Sequence, residues 1–200
     1  MGLTKQSKTL SNTQIEVLTD YLSKTRNGLR DKLIFLLSIK AGLRAKEIAH
    51  LTWSMVLNSN NEVNDSIHLT NSASKGSSGR VIPMNSKLKE HLEHYFSSVK
   101  DKIWLTKLDH SFVITTERAT KTSPQVIVNK FMKWYRDIGY LGCSSHSGRR
   151  TFITNTSRKI SLVGGSLRDI QMIAGHKYLH TTQRYIDYDT ECQKRVVDLV

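Results

Sequence analysis

Runs of apolar residues at helical spacing dominate the chain, and residues that begin or end helices bound them. Ser11-Asn12-Thr13-Gln14 has the form of a capping box and is followed by apolar residues at helical spacing, so a helix is predicted over 12–24. A second helix is predicted from Leu29 to Lys40 and ends at Gly42. Because this segment is apolar almost all round, we expect it to be buried. Arg44 follows the break and leads into a further predicted helix through Glu47, Ile48 and Leu51.

The pattern changes between residues 66 and 84. Ser66 to Thr70 alternates in polarity as a strand does, Ser72 to Gly79 is rich in turn residues, and Arg80 to Pro83 has the character of an edge strand. This order predicts a β-hairpin with Lys75 at its tip.

Helical patterns return after the hairpin. Helices are predicted from Lys87 to Ser97, from Ser123-Pro124 to Gly139, and from starting points near Ser147 and Ser166. A last helix is expected to carry Tyr185. The predicted fold class is mainly α with a small antiparallel β-sheet (α+β), as one domain over 11–200 behind a flexible basic arm over 1–10.

Composition narrows the class of protein. Apolar residues make up 38% and charged residues 24% of the chain, as in ordinary globular proteins. The net charge of +13 favours a polyanionic partner, although ribosomal, membrane-surface and heparin-binding proteins are also basic. Cys143 and Cys192 form no CxxC motif, which argues against structural zinc and for a reducing cytoplasm. The chain shows no signal peptide and no apolar stretch long enough to span a bilayer, so a cytoplasmic protein without a membrane partner is predicted.

Residues suited to phosphodiester chemistry occur in a distinctive order. They are Arg44 in Ala-Gly-Leu-Arg-Ala-Lys-Glu, His146 and Arg149 in His-Ser-Gly-Arg-Arg, His176 in Ala-Gly-His, and Tyr185 in Thr-Thr-Gln-Arg-Tyr. A phosphodiester repels nucleophiles because its oxygens are anionic, and two arginines can neutralise that charge by binding the non-bridging oxygens. A tyrosine can then attack phosphorus when a nearby base or cationic cluster activates its phenol. The set predicts strand cleavage without a metal.

These motifs resemble those of the tyrosine recombinase (phage integrase) family, and the resemblance spans nearly the whole chain. It implies the catalytic-domain fold of DNA breaking and rejoining enzymes, and it implies no metal or other cofactor. Arg44 and Arg149 correspond to the family's arginine pair. Tyr185 corresponds to the nucleophile that forms a 3′-phosphotyrosine, nine residues after His176.

The resemblance also implies supporting roles. His146 would accept the tyrosine proton or orient the phenol, and His176 would donate a hydrogen bond to a non-bridging oxygen. Lys75 would protonate the departing 5′-oxygen, and Glu47 would brace an arginine. Phosphate contacts are expected by adjacency at Arg80, Arg150, Lys177 and Arg184.

Three features depart from the family pattern. Gly148 stands before Arg149 where the family usually has leucine, and the segment before His176 is longer around Ser161 to Ser166. The separate helical DNA-clamping domain that usually precedes the catalytic domain is not found in this sequence. The chain resembles the short single-domain members, including the fimbrial-switch inversion recombinases. Its starting Met and its own N-terminal arm favour a complete protein.

The main hypothesis is a site-specific recombinase that integrates, excises or inverts double-stranded DNA through a phosphotyrosine and a Holliday junction. We expect a monomer in solution and a homo-tetramer on synapsed DNA. The C-terminal stripe of Cys192, Val196 and Leu199 either docks on a neighbouring protomer or packs on its own chain. Alternatives are a type IB topoisomerase, a non-catalytic DNA-binding regulator with the same fold, and an RNA-binding basic protein.

Overall fold

The structure, a computed structural model, describes residues 7–74, 78–103, 105–117, 119–185 and 197–198. Its helices are α1 (Asn12–Ser23), α2 (Gly28–Ala41), α3 (Ala45–Ala49), α4 (Ser86–Val99), α5 (Pro124–Asp137), α6 (Ser147–Lys159), α7 (Leu167–Ala174) and α8 (Leu179–Gln183). Its strands are β1 (Ser66–Leu69) and β2 (Arg80–Pro83). The fold class is therefore the predicted one, mainly helical with a small antiparallel sheet.

Helix α2 lies at the centre of the molecule. It packs against α1, α4 and α6, and its apolar residues are almost completely buried. Gly42 ends α2 with φ 65°, in the left-handed region that favours glycine. The capping box that begins α1 is also confirmed, because Ser11 Oγ accepts from the Gln14 backbone and Gln14 Oε1 accepts from the Ser11 backbone.

The predicted hairpin is present. Strand β1 pairs antiparallel with β2, with Ser66 opposite Pro83 and Leu69 opposite Arg80. This register buries Ile67 and Ile82 on the core side of the sheet. The tip at Lys75 lies outside the described residues.

Gly148 allows α6 to pack closely on α2. A Cβ placed at Gly148 would collide with Ser38 Oγ and would lie 3.0 Å from Ser38 Cβ. A leucine at this position would therefore push the two helices apart. The close approach thus requires glycine at this position, directly before Arg149.

Two predicted boundaries differ from the structure. Helix α3 ends at Ala49, short of the predicted Leu51. Tyr185 was expected within a helix, but it lies just beyond α8, which ends at Gln183, and its backbone N–H donates to Thr182 O in a turn. The Tyr185 carbonyl accepts instead from Thr154 Oγ1 on α6 at 2.8 Å.

Residues 7–10 also differ from the loose arm predicted over 1–10. Leu10 is buried, and its backbone N–H donates to Thr151 Oγ1 on α6. Lys8 N donates to the Gly142 carbonyl, so this part of the arm is held against the segment that precedes α6.

Among the described helices, none has the length and apolar character that crossing a membrane requires. The predicted C-terminal stripe (Cys192, Val196, Leu199) lies outside the described residues.

Candidate active site

Arg44 and Glu47 lie at the start of α3. The Glu47 carboxylate accepts from the Arg44 backbone N–H at 2.8 Å and from the Arg44 guanidinium at 2.7 Å. Glu47 is completely buried, whereas a quarter of the Arg44 side chain stays exposed. Burial opposes ionisation, but Arg80 and Arg44 outweigh it and hold the pKa of Glu47 below its ordinary value.

Arg80 is the second partner of Glu47. Its two terminal nitrogens donate to the two carboxylate oxygens at 3.0 and 3.2 Å, and its Nε donates to Ile173 O at 2.6 Å. The side chain is only 7% exposed. The structure thus places this expected phosphate contact in a buried ion-pair network, where it links β2 to α3 and α7.

Arg149 lies in the first turn of α6 and is almost completely buried. Its terminal nitrogens donate to Gly42 O, just beyond α2, and to Ala174 O at the end of α7. Carbonyls at helix C-terminal ends lack intrahelical partners and carry partial negative charge, so they suit a guanidinium. Burial and the nearby Arg44 lower the pKa of Arg149 to about 10, and it remains a cation at neutral pH.

His176 joins the arginines to the tyrosine. Its Nε2 lies 2.9 Å from Arg149 Nη2, and its Nδ1 lies 3.0 Å from Thr182 Oγ1. Burial, followed by Arg149 and Arg44, lowers the pKa of His176 to about 4. The imidazole is therefore neutral at physiological pH.

His146 precedes α6 and is exposed. Its backbone N–H donates to Ser144 Oγ, and Ser144 N donates to Ser147 Oγ, so short side chains hold the loop before α6. Desolvation, Arg149 and Arg44 lower the pKa of His146. A neutral imidazole at this position can accept a proton.

Tyr185 stacks on His176. The two ring centroids lie 5.3 Å apart with an interplanar angle of 21°. Tyr185 is half-buried against the small apolar cluster of Ile153, Ile170 and Ala174. The same chain thus brings the tyrosine into contact with the histidine that contacts Arg149.

The remaining predicted residues differ in their exposure. Lys177 and Arg184 are exposed, and Lys177 lies over the Tyr178 ring at 5.2 Å. Arg150 is half-buried beside Arg149. Lys75 lies outside the described residues.

Several supporting residues were missed by the sequence analysis. Gln171 is buried, and its amide donates to the carbonyls of His176 and Lys177, which fixes the loop after α7. Thr182 is completely buried against His176, and Thr154 holds the Tyr185 backbone. Of these residues, only Thr182 belongs to a sequence motif, as the second threonine of the Thr-Thr pair before Tyr185.

The site has an excess of positive charge. Among the described residues, the guanidinium groups of Arg44, Arg80 and Arg149 lie around one buried carboxylate, that of Glu47. The neighbouring His176 adds no charge at neutral pH. In the described part of the chain, no three His, Cys, Asp or Glu side chains cluster as a metal site would need. The arrangement suits a multiply charged anion such as a phosphate.

The whole arrangement matches a known family. The profile of the phage integrase family matches residues 8–191, which include all the predicted site residues. The chain belongs to the phage integrase family.

Curated relatives are recombinases longer than this chain. Tyrosine recombinase XerA of Pyrococcus horikoshii is 29% identical over 208 residues, which cover 98% of this chain and 67% of that protein. Tyrosine recombinase XerC of Staphylococcus saprophyticus is 26% identical over 191 residues, covering 92% of this chain and 58% of the relative. This chain thus spans about three fifths to two thirds of their length.

Solved structures show the same fold. A crystal structure of XerA recombinase superposes with a TM-score of 0.73 at 20% identity, covering 96% of this chain and 64% of the other. The Tn1549 transposon integrase in complex with a circular intermediate DNA gives a TM-score of 0.75 at 17% identity, covering 99% and 67%.

Proposed function

We propose that this chain cleaves and rejoins DNA strands at specific sites through a 3′-phosphotyrosine on Tyr185. The observation that carries the proposal is the convergence of Arg44, Arg149, His176 and Tyr185 in one positively charged contact network of a single chain. The recombinase relatives support site-specific recombination over the relaxation of supercoiled DNA.

The arginines stabilise the pentavalent phosphorus. Arg44 and Arg149 bind the non-bridging oxygens, and the carbonyls that already hold Arg149 orient its guanidinium before substrate arrives. Arg80 is a positioning residue in this scheme, because its described contacts hold Glu47 and the end of α7. Phosphate contacts at Arg150, Lys177 and Arg184 stay predictions.

Tyr185 attacks phosphorus and releases a 5′-hydroxyl. His146 accepts the phenol proton, since its lowered pKa leaves it neutral near pH 7. The ester energy is retained in the phosphotyrosine, so rejoining requires only the reverse attack by a 5′-hydroxyl.

Lys75 is the proposed general acid. The described residues that border segment 75–77 contact neighbours of the site, because Ser74 O accepts from Lys46 on α3 and Ser78 O accepts from Arg80. Lys75→Ala should slow cleavage strongly on a normal strand and much less on one whose 5′-bridging oxygen is replaced by sulfur, which leaves without protonation.

Double-stranded DNA is the proposed partner, as a pair of specific sites joined by a homo-tetramer, with a monomer in solution. The proposed location is the cytoplasm. The net charge of +13 supports salt-sensitive binding to the DNA backbone.

Covalent trapping tests the proposal. Protein in EDTA is incubated with nicked duplexes tiled across the DNA that flanks its own gene, then separated on a denaturing gel. An adduct that Tyr185→Phe abolishes and Tyr178→Phe retains is expected. Tyr178 is a matched control because it lies in the same segment, is exposed and stacks on His180. Binding without an adduct on any duplex would contradict strand cleavage.

A further inference from the structure

The contacts of His176 fix which ring nitrogen carries its proton. Arginine donates hydrogen bonds and cannot accept them, so Nε2 must accept from Arg149 Nη2 at 2.9 Å. In a neutral imidazole the other nitrogen then carries the proton. The Nδ1–H group consequently donates to Thr182 Oγ1 at 3.0 Å.

This tautomer is the wrong one for a bound phosphate. Non-bridging phosphate oxygens only accept hydrogen bonds, and a bare Nε2 would face them with a lone pair. His176 can present a proton at Nε2 either by gaining a second proton or by exchanging the tautomer. Burial and three neighbouring arginines oppose the positive charge that a second proton would place on this ring.

Thr182 is the residue that makes the exchange possible at low cost. Its side chain is completely buried, so its hydroxyl cannot turn to water. A hydroxyl both donates and accepts, whereas a backbone carbonyl at this position would accept only and would lock Nδ1–H. Thr182 can therefore accept from Nδ1–H in one state and donate to a bare Nδ1 in the other.

We propose that His176 reverses its tautomer when a phosphate takes over its contact with Arg149, and that Thr182 holds Nδ1 in both states. The proton leaves Nδ1 and a proton is gained at Nε2 by exchange with solvent, so the net charge of the ring does not change. The inference rests on the proposed function, in which His176 donates a hydrogen bond from Nε2 to a non-bridging phosphate oxygen. Thr182 acts through His176 and is a positioning residue.

Nitrogen NMR of the intact chain labelled with ¹⁵N-histidine tests this directly. At pH 7.5 the His176 signals, assigned by their loss in His176→Gln, are expected to show protonated Nδ1 and bare Nε2. Addition of inorganic phosphate should reverse the two. An initial Nε2–H state, protonation of both nitrogens, or signals that phosphate leaves unchanged would each overturn the inference.

Three variants separate the hydroxyl from simple packing. Thr182→Ser keeps the hydroxyl, so its His176 should reverse the tautomer as in the wild type. Thr182→Val removes the hydroxyl that contacts Nδ1 in both states, so a clean reversal should be lost. Thr122→Val is the matched control, because the Thr122 hydroxyl is buried without a described partner. Thermal unfolding checks that each variant is folded. A valine variant that reverses cleanly would exclude Thr182 from the switch.

The NMR experiment and the cleavage assay give independent results, so failure of this inference is distinguishable from failure of the proposed function. Tautomer reversal without any Tyr185 adduct would support anion binding at His176 and contradict the proposed reaction. An adduct at Tyr185 without reversal would keep the reaction and contradict this inference.

Discussion

Arg149 and Tyr185 both contact His176, one at the ring edge and the other at the ring face, but they are anchored differently. Arg149 belongs to a 13-residue helix that packs on the buried α2, and its guanidinium is bonded to the ends of two helices. Tyr185 follows a five-residue helix and rests on a small apolar cluster. The proposed phosphate-binding side is therefore built into the main core, whereas the proposed nucleophile has few contacts with the described residues. From this division we expect local opening around Tyr185 to need less free energy than opening around Arg149.

Removal of the Glu47 carboxylate, which pairs with Arg44 and Arg80, is expected to have the largest effect on stability. Glu47→Ala should destabilise the fold by about 3–5 kcal/mol, because it leaves Arg44 and Arg80 without their buried carboxylate. Urea unfolding measures the loss. Asp20→Asn, which removes an exposed pair with Lys24, should change stability by less than about 0.5 kcal/mol. Similar losses in the two variants would contradict the assigned role of Glu47.

Gly148 tests the packing that places Arg149. Gly148→Ala should cost about 1–3 kcal/mol through overpacking against Ser38. Ser38→Ala alone should be nearly neutral, because the buried Ser38 hydroxyl has no described partner. Combining the two should recover part of the loss in a double-mutant cycle. Strict additivity would mean that the two residues do not collide.

The pH dependence of stability tests whether His176, which contacts both Arg149 and Tyr185, is a buried neutral imidazole. The pKa of His176 is about 4 in the folded chain and 6.5 ordinarily, so the unfolded state binds its proton first. Stability should therefore fall as pH decreases from about 6.5 to about 4, by at most about 1.4 kcal/mol per pH unit from this residue. His176→Gln should remove that part of the slope in urea unfolding. Parallel profiles for the two proteins would contradict a buried neutral imidazole.

Thr154 tests the weakly held side and should give the smallest effect on stability. Thr154→Val removes the hydrogen bond to the Tyr185 carbonyl, worth about 1 kcal/mol, and should slow adduct formation while the main core stays intact. Thr156→Val is the control, since its hydroxyl bonds only Phe152 O within α6. Equal adduct rates in the two variants would indicate that Thr154 does not position the nucleophile.

The sequence predicted those parts of the molecule that local signals specify. The capping box of α1, the glycine after α2 and the hairpin follow from neighbouring residues, and the fold class followed with them. The motifs around Arg44, Arg149 and Tyr185 likewise marked the site through their flanking residues.

Other features depend on contacts between distant segments. A phosphate contact was expected at Arg80 by adjacency, and the sequence did not indicate its buried pairing with Glu47, which joins positions 33 apart. The packing of Gly148 on Ser38 and the support of Tyr185 by Thr154 are equally non-local. A single sequence carries no signal for such pairs, because the two partners lie far apart along the chain.

Mixing two inactive variants tests most directly whether one chain carries both sides of the site. Arg149→Ala lacks the phosphate-binding side and Tyr185→Phe lacks the nucleophile, and each alone should give no adduct on a duplex that the wild-type protein cleaves. Because Tyr185 stacks on His176 of its own chain, the mixture should also give none. An adduct restored by mixing would show that the tyrosine acts on a phosphate held by another protomer and would contradict the account.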